Sequence, residues 1–286
     1  MRKGKTNAQD SNLEEVRKYW ECHPLFSLES EEQVGSREFF EQHSRVREEV
    51  ERFALPIHEF DRHAGERVLD VGSGIGWLCE QFARGEAKIV AADLTLTGVR
   101  LTRKRLNLFG LSGEAVQADA ENLPFADNTF AFVTASGVLH HTPNAARVVR
   151  EIYRVLRPGG RAMISLYYRG VLLRSVLWPI TRACVRRLLR NVPGRSGFSQ
   201  VHQPDDLART YDGDLNPLGR LYSRREAREL LAPLLLEKVE IHYFPKRFVP
   251  FGRRLPDWLF KIMDRRFGTM IYCQAGKPGR TETVNS

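Results

Sequence analysis

The chain contains few cysteines, and none of them form a closely spaced pair. Its 286 residues include four cysteines, no two of which form a CxxC motif. Disulfide frameworks and structural zinc sites both depend on several cysteines at short, regular spacing. The sequence therefore argues against both, predicts no bound metal, and favours a reducing compartment. The four are Cys22, Cys79, Cys184 and Cys273.

Long apolar runs are also missing. The residues after Met1 are polar and basic, whereas a secretory signal would place an apolar segment there. The longest apolar stretch, residues 171–180, is interrupted by Arg174, Ser175 and Pro179, and it is too short to cross a bilayer. We therefore expect a cytoplasmic protein. Hydrophobic residues still make up 42% of the chain, which is enough for a sizeable buried core.

Positive charge is concentrated in two C-terminal segments. The formal net charge is +9, and residues 169–195 contain seven arginines and no acid, while residues 246–266 contain seven bases and two acids. Segment 169–195 has three interpretations: a solvated helical face, weak contact with an anionic membrane surface, or contact with nucleic acid. Nucleic acid is disfavoured because no RNA-binding module is recognisable. The apolar residues that would face lipid are Leu172, Leu173, Val176, Leu177 and Trp178.

The hydrophobic pattern divides the chain into helical and alternating parts. Residues 1–62 read as a helical N-terminal extension, with Ser11 and Ser36 as predicted helix starts. Short apolar runs then alternate with helical segments, which is typical of βαβ units and a parallel sheet. Residues 169–234 read as a helical, basic insert. The predicted strands are 67–71, 88–92, 114–118, 130–134, 161–166, 238–244 and 269–274.

The first predicted strand runs into a glycine loop that starts at Gly72 and continues through Gly74 to Gly76. Glycines at this turn let the backbone approach a ligand closely, and the next helix directs its N–H groups there. The third glycine comes one residue too early for a dinucleotide fingerprint. Asp70 stands two residues before the first glycine, where a cationic amino group would suit it better than a pyrophosphate.

Two further acids follow the next predicted strands. Asp93 ends the second strand, where a carboxylate can accept hydrogen bonds from both hydroxyls of a ribose. Asp119 ends the third and could accept from an adenine amine, with Leu94 and Ala120 on the two faces of the ring. Each acid alone could be an ordinary helix-capping residue. Three acids at three successive strand ends instead predict a nucleoside site.

Five motifs in this order resemble the class I S-adenosylmethionine-dependent methyltransferases, and most of all the small-molecule branch that includes quinone-biosynthesis enzymes. The resemblance covers about residues 63–168 and, more loosely, the last two strands. It implies a Rossmann-like α/β fold with seven strands, the last antiparallel, and S-adenosyl-L-methionine as cofactor. The motifs are Val-Leu-Asp-Val-Gly-Ser-Gly-Ile-Gly, Ala-Asp-Leu-Thr, Ala-Asp-Ala-Glu-Asn-Leu-Pro-Phe, Gly-Val-Leu-His-His and Glu-Ile-Tyr-Arg-Val-Leu-Arg-Pro-Gly-Gly.

The resemblance also implies that Ser136, His140 and His141 follow the fourth strand and face the methyl group. Methyl transfer from a sulfonium is an in-line displacement, so positioning can carry much of the rate, and a base is needed only if the acceptor must lose a proton. A histidine could be that base. Alternatively, one histidine caps the following turn and the other packs in the core.

Four residues outside these motifs are candidates for contact with the methyl acceptor. Tyr19, Trp20 and His23 lie in the N-terminal extension and could close over the acceptor, although aromatic residues on such a helix are often plain packing. Tyr211 begins a polar turn among apolar helices, which suits a substrate-facing loop or an ordinary solvated one.

The sequence therefore predicts methyl transfer to a small, apolar or aromatic metabolite. The alternatives are a methyltransferase for RNA or protein, and a regulatory protein that binds the cofactor without turnover. No motif identifies the acceptor or the oligomeric state. The predicted organisation is an extension or lid (1–62), a cofactor-binding core (63–168), an insert that caps the substrate (169–234), the final strands of the core (235–276) and a loose tail (277–286).

Overall fold

The alternating apolar segments assemble into one seven-stranded sheet in the computed structural model, which describes residues 8–27, 30–51, 53–189, 196–214, 216–244 and 256–279. The central strands β1, β2 and β4 are short and almost wholly buried, as expected of a sheet covered on both faces. The strands are β1 (Arg67–Val71), β2 (Lys88–Asp93), β3 (Glu114–Gln117), β4 (Phe130–Ser136), β5 (Leu156–Tyr167), β6 (Leu235–His242) and β7 (Met270–Gly276).

Helices connect and flank these strands. Short 3₁₀ helices occupy Phe60–His63, Leu139–His141, Val171–Leu173 and Ser196–Gln200. The α-helices within the described ranges are α1 (Ala8–Cys22), α2 (Arg37–Val50), α3 (Ala54–His58), α4 (Trp77–Arg84), α5 (Leu96–Leu108), α6 (Ala145–Val155), α7 (Trp178–Leu188), α8 (Pro204–Tyr211), α9 (Arg224–Leu230) and α10 (Asp257–Phe267).

The strand order is β3-β2-β1-β4-β5-β7-β6. β7 runs antiparallel to both of its neighbours, and the pairs β1–β2, β1–β4, β2–β3 and β4–β5 are parallel. This confirms the predicted α/β, Rossmann-like sheet with an antiparallel last strand. The chain reverses its direction of travel across the sheet between β1 and β4. A crevice therefore opens there, at the carboxyl ends of the strands.

Several boundaries differ from the sequence prediction. α1 begins at Ala8, one turn before Ser11, whereas Ser36 is the N-cap of α2 and accepts a hydrogen bond from the amide of Phe39. β5 begins at Leu156 rather than at residue 161, because a bulge lets its first residues pair with β4 despite Pro158. β6 lies about three residues earlier than predicted.

Side chains alternate between the two faces of the sheet. Leu69 and Val133 pack on one face against α6 and α9, and Val68 and Phe132 pack on the other face against α4 and α5. A buried ion pair ties the second layer together: Arg105 of α5 donates to Glu80 of α4 over 2.6 Å and to Ser44 of α2 over 2.5 Å. The N-terminal helices are thereby attached to the core.

The basic insert exposes large apolar side chains at its surface. Val176 is 84% exposed and Ile180 66% exposed, on or just before α7. Leu173 is instead half-buried against the core, and Trp178 donates a hydrogen bond to the carbonyl of His202 over 3.1 Å. Across the residues that can be described, no helix combines the length and the apolar character needed to cross a membrane. Residues 190–195 and 245–255, which include part of both basic segments, lie outside the described ranges.

Candidate active site

A cavity of about 320 Å³ lies at the carboxyl ends of β1, β2 and β4, next to the point where the strand order reverses. Its wall combines the glycine loop, the ends of the central strands, α1, α2, the start of the polar turn at residues 211–212, and β7. It brings together most of the residues predicted from sequence. Those in the wall are Trp20, His23, Gly72, Gly74, Asp93, Leu94, Asp119, Ala120, Ser136, His140, His141 and Tyr211.

Three predicted site residues lie behind this wall. Tyr19 is buried between α1 and the polar turn, where its hydroxyl donates to the carbonyl of Asp212 over 3.1 Å. Asp70 is 1% exposed and lies beneath the glycine loop. Gly76 is the N-cap of α4, and its Cα faces Thr102 of α5.

The three loop positions require glycine for different structural reasons. All have positive φ angles, 71° at Gly72, 54° at Gly74 and 76° at Gly76, which favour glycine. A Cβ atom on Gly72 would meet Val138 Cγ2 at 2.3 Å, and one on Gly76 would meet Thr102 Cα at 2.9 Å. At Gly74 it would meet nothing within 4 Å. Gly74 therefore borders open space that can hold a cofactor, whereas Gly76 allows α4 and α5 to pack closely.

Asp93 joins the end of β2 to this loop. Its Oδ2 accepts from the amide of Gly74 over 2.8 Å, and its Oδ1 accepts from the amide and hydroxyl of Thr95 over 2.8 and 2.7 Å. Burial raises the pKa of Asp93, and these donors oppose the shift. Each carboxylate oxygen has further lone-pair capacity. The residue can therefore accept from a bound diol while it holds the loop in place.

Asp70 is the most deeply buried of the predicted acids. The thiol of Cys79 donates to its Oδ2 over 3.2 Å, and its Oδ1 has no hydrogen-bond partner. Burial raises the pKa of Asp70 to about 7. A cation near the loop would favour the ionised form of this carboxyl, although Asp70 is not placed to contact a ligand in the cavity directly.

The remaining cofactor candidates lie near the expected strand ends, with small shifts. Asp119 lies two residues beyond β3 and accepts from the amide of Glu121 over 2.8 Å. Ser136 is the last residue of β4 rather than a residue after it, and its hydroxyl lies 3.2 Å from that of Ser165. Leu94 and Ala120 are both in the wall, one beside each acid.

Both predicted catalytic histidines are buried and engaged. His141 Nδ1 lies 2.6 Å from the carbonyl of Leu218, and its Nε2 lies 3.0 Å from Asp212 Oδ2. These two contacts fix the orientation of the imidazole ring. His140 Nδ1 accepts from the amide of Tyr167 over 3.3 Å, so the neutral ring carries its proton on Nε2. Burial, and secondarily His141, lowers the pKa of His140 well below its ordinary value.

Asp212 was not selected from the sequence, yet it connects three parts of the site. Besides facing His141, it accepts from the hydroxyl of Tyr167 over 2.8 Å at both oxygens. Its backbone carbonyl receives the hydrogen bond of Tyr19. The ring of Trp20 lies edge-on to His141, with centroids 5.2 Å apart. α1 and the polar turn therefore meet above the histidines.

The N-terminal extension also contacts the cofactor side of the cavity. Glu21 of α1 accepts from the amides of Leu96 and Thr97, both over 2.9 Å, and from the hydroxyl of Thr97 over 2.6 Å. These are the first residues of α5, directly after Leu94 and Thr95. His23 stacks on Tyr19, with ring centroids 4.7 Å apart. α1 is thus attached at both ends of the cavity.

Two further charged residues of the wall, Arg47 and Glu51, were not predicted from sequence. Both belong to the α2 region, and they form an ion pair with 3.2 Å between Nε and Oε2. The part of the wall near them is aromatic, with Tyr211, Tyr243 and Tyr272. No group of three or more histidine, cysteine or acidic side chains among the described residues is arranged to hold a metal ion.

Comparison with protein families places a methyltransferase domain at residues 69–164. A ubiquinone/menaquinone biosynthesis C-methyltransferase, UbiE, from Cronobacter sakazakii is 41% identical over 112 residues, which are 37% of this chain and 45% of the relative. The corresponding enzyme of Escherichia coli is 39% identical over 113 residues, 38% of this chain and 45% of the relative. The match thus spans less than half the length of these relatives.

Solved structures resemble a larger part of the chain. A protein from Pyrococcus horikoshii matches with a TM-score of 0.54 and 16% identity, over 91% of this chain and 98% of that one. A SAM-dependent methyltransferase from Methanosarcina mazei matches with a TM-score of 0.53 and 18% identity, over 79% and 98%. At such identities the likeness establishes the fold. Together with the domain match, it confirms the predicted resemblance to methyltransferases for residues 69–164.

Proposed function

We propose that the whole chain is a class I, S-adenosyl-L-methionine-dependent methyltransferase whose acceptor is a small aromatic metabolite, because residues 69–164 match a methyltransferase domain. The glycine loop and Asp93 would hold the cofactor, and the open space beside Gly74 fits it. When bound, the cofactor supplies an electrophilic methyl group on a sulfonium.

The observation that carries the choice of a small acceptor is the closure above His141. Trp20 lies edge-on to this histidine, and Tyr19 donates to the backbone of Asp212, so the N-terminal extension and the insert meet there. A folded protein or an RNA strand would need this contact to open. A flat ring fits between the aromatic side chains of the wall, where stacked and edge-on contacts are favourable.

In this proposal, the residues around Asp212 orient the acceptor rather than bind the cofactor. His140 in its Nε2-protonated form is a hydrogen-bond donor, suited to an oxygen on the acceptor ring. The contact between His141 Nε2 and Asp212 fixes the imidazole and the polar turn. Exclusion of water by Trp20 and Tyr167 would protect the reaction, which depends chiefly on positioning.

The relatives named as C-methyltransferases favour a ring carbon as the acceptor atom. A hydroxyl on the same ring would make that carbon nucleophilic, and His140 would hydrogen-bond this hydroxyl oxygen. The carbon would gain the methyl group as the sulfur–methyl bond breaks and the demethylated cofactor leaves, and the proton that the carbon carried would be released to solvent. The proposed acceptor class is therefore a hydroxylated aromatic ring of the quinol type, with a modest apolar substituent.

Transfer of a labelled methyl group tests this proposal. The protein is incubated with methyl-labelled S-adenosyl-L-methionine and, separately, with an organic-solvent extract of cells, total RNA and total protein. We expect label in the extract alone, on carbon when the product is examined by NMR, and an at least tenfold slower transfer by Asp212→Asn than by the surface control Asp61→Asn. Label in RNA or protein would establish the opposing enzyme class, and cofactor binding without any transfer would establish a regulatory protein.

A further inference from the structure

Arg47 lies in the wall of the cavity and is largely buried, which is unusual for an arginine. It lies on α2 in the wall of the cavity that also contains the glycine loop, and its side chain is 15% exposed. Its guanidinium carbon lies 4.6 Å from the centre of the Trp77 ring, the first residue after the loop. Within the described ranges Glu51 is the sole carboxylate within 4 Å of it.

Several buried polar atoms around Arg47 lack hydrogen-bond partners. Arg47 Nε and Glu51 Oε2 are 3.2 Å apart but not aligned for a hydrogen bond, and Trp77 Nε1 and Asp70 Oδ1 are also unpartnered. Buried polar groups are seldom left unsatisfied, and a cluster of them needs a reason. Burial and, secondarily, the charge of Arg47 lower the pKa of His58 to about 3.

The position of this pair relative to the nucleoside residues suggests what it binds. Asp93 ends β2 and Asp119 follows β3, and both of these predicted nucleoside contacts line the cavity. Trp77 and Arg47 are on the α2 and α4 side. The acids and the ion pair line the same cavity, so one bound molecule could contact both.

We propose that Arg47 binds the α-carboxylate of the cofactor's methionine moiety and Glu51 its α-ammonium group. The inference rests on the proposed function, since it assumes that this chain binds S-adenosyl-L-methionine. Neighbouring opposite charges in the wall complement a zwitterion, in which carboxylate and ammonium share one carbon atom. The planar guanidinium, stacked on Trp77, presents its donors in a fixed fork that matches a carboxylate.

The assignment modifies the sequence interpretation of Asp70. From sequence, the acid before the glycine loop was expected to meet the cationic amino group. Asp70 lies beneath the loop instead, whereas Glu51 lines the cavity. Asp70 acts on a cation through its field alone in this arrangement, and Glu51 makes the contact.

Calorimetry of the full chain with three cofactor-related ligands separates the proposed roles of Arg47 and Glu51. S-adenosyl-L-methionine carries both groups, its decarboxylated analogue carries the ammonium alone, and 5′-methylthioadenosine carries neither. We expect Arg47→Gln to weaken the first ligand by about 10- to 100-fold and to leave the other two unchanged. We expect Glu51→Gln to weaken the first two and spare the third. Arg45→Gln, an exposed neighbour on α2, is the matched control.

Each outcome decides the proposal. If Arg47→Gln weakens all three ligands equally, or none of them, Arg47 does not bind the carboxylate and the assignment is wrong. If Arg47 instead binds a carboxylate of the methyl acceptor, Arg47→Gln would weaken none of the three ligands. If the Gln variant does not fold, Arg47→Lys replaces it, and a selective loss for S-adenosyl-L-methionine over its decarboxylated analogue is again required. Failure of the wild-type chain to bind any of the three would instead overturn the proposed function.

Discussion

The carboxylate of Asp93 accepts a hydrogen bond from the amide of Gly74 over 2.8 Å, so the acid that ends β2 and the loop that follows β1 form one structural unit. This explains why the two sequence features occur together. The acid fixes the backbone of the one loop glycine whose Cβ position borders open space. The same carboxylate retains lone pairs for a ribose diol.

Removal of the Asp93 carboxylate tests this double role. We expect Asp93→Ala to weaken binding of S-adenosyl-L-methionine by about 10- to 150-fold, because charged hydrogen bonds to two hydroxyls are lost and the loop is released. Calorimetry measures the affinity, with Glu38→Ala on the exposed side of α2 as the control. Unchanged affinity in the Asp93 variant would remove this residue from the cofactor site.

Two loop glycines should respond differently to a side chain. Gly74→Val is expected to abolish cofactor binding while the sheet stays folded, because its side chain would fill the open space beside the loop. Gly76→Ala is expected to lower the free energy of unfolding, because its Cβ would lie 2.9 Å from the backbone of Thr102 at a φ of 76°. Calorimetry and urea denaturation separate the two effects. Cofactor binding by Gly74→Val at wild-type affinity would contradict the assignment of the loop.

The sheet and the cofactor side of the cavity could be predicted from sequence, because each is formed by residues that lie close together along the chain. A strand, its turn residues and the acid at its end lie within about ten positions, so period and spacing define them. The start of β5 could not be predicted, because a proline and two glycines normally end a strand. Here a bulge accommodates Pro158 and the glycines within β5. Asp212, Arg47 and Glu51 reach the cavity through the packing of the insert and of α2, which no local pattern encodes.

The titration of Asp70 should appear in the pH dependence of stability. Its pKa is about 7 in the folded protein, above the ordinary value of 3.8, so between these values the folded state holds a proton that the unfolded state has lost. Its contribution to stability therefore falls as pH rises through this window. We expect Asp70→Asn to gain about 3 kcal/mol of unfolding free energy relative to wild type between pH 5 and pH 8. Urea denaturation at both pH values measures the difference, and a pH-independent difference would contradict the raised pKa.

The attachment of α1 through Glu21 leads to a kinetic prediction. Its carboxylate accepts three hydrogen bonds at the start of α5. We expect Glu21→Ala to release S-adenosyl-L-methionine roughly tenfold faster, because charged hydrogen bonds of about 1.5–3 kcal/mol hold the extension closed. Stopped-flow fluorescence of Trp20 reports the release, and Glu15→Ala on the exposed side of α1 is the control. Equal release rates would show that the extension does not act as a lid.

The exposed apolar side chains of the basic insert allow its three interpretations to be separated. Val176 and Ile180 point outward among arginines, and no acid occurs between residues 169 and 204. A membrane surface would bury these apolar side chains at about 1.5–3 kcal/mol each, whereas phosphate contacts with RNA would depend on the arginines alone. The membrane interpretation therefore makes a distinct prediction for these two side chains. The double variant Val176→Ser, Ile180→Ser should therefore reduce cosedimentation with phosphatidylglycerol vesicles and leave RNA retention unchanged. Leu173→Ser is a less suitable probe, because Leu173 packs against the core.

Absence of vesicle binding by the wild-type protein at physiological salt would leave the segment as a solvated basic face. An equal loss of RNA retention in the double variant would indicate that its apolar residues do not act through lipid.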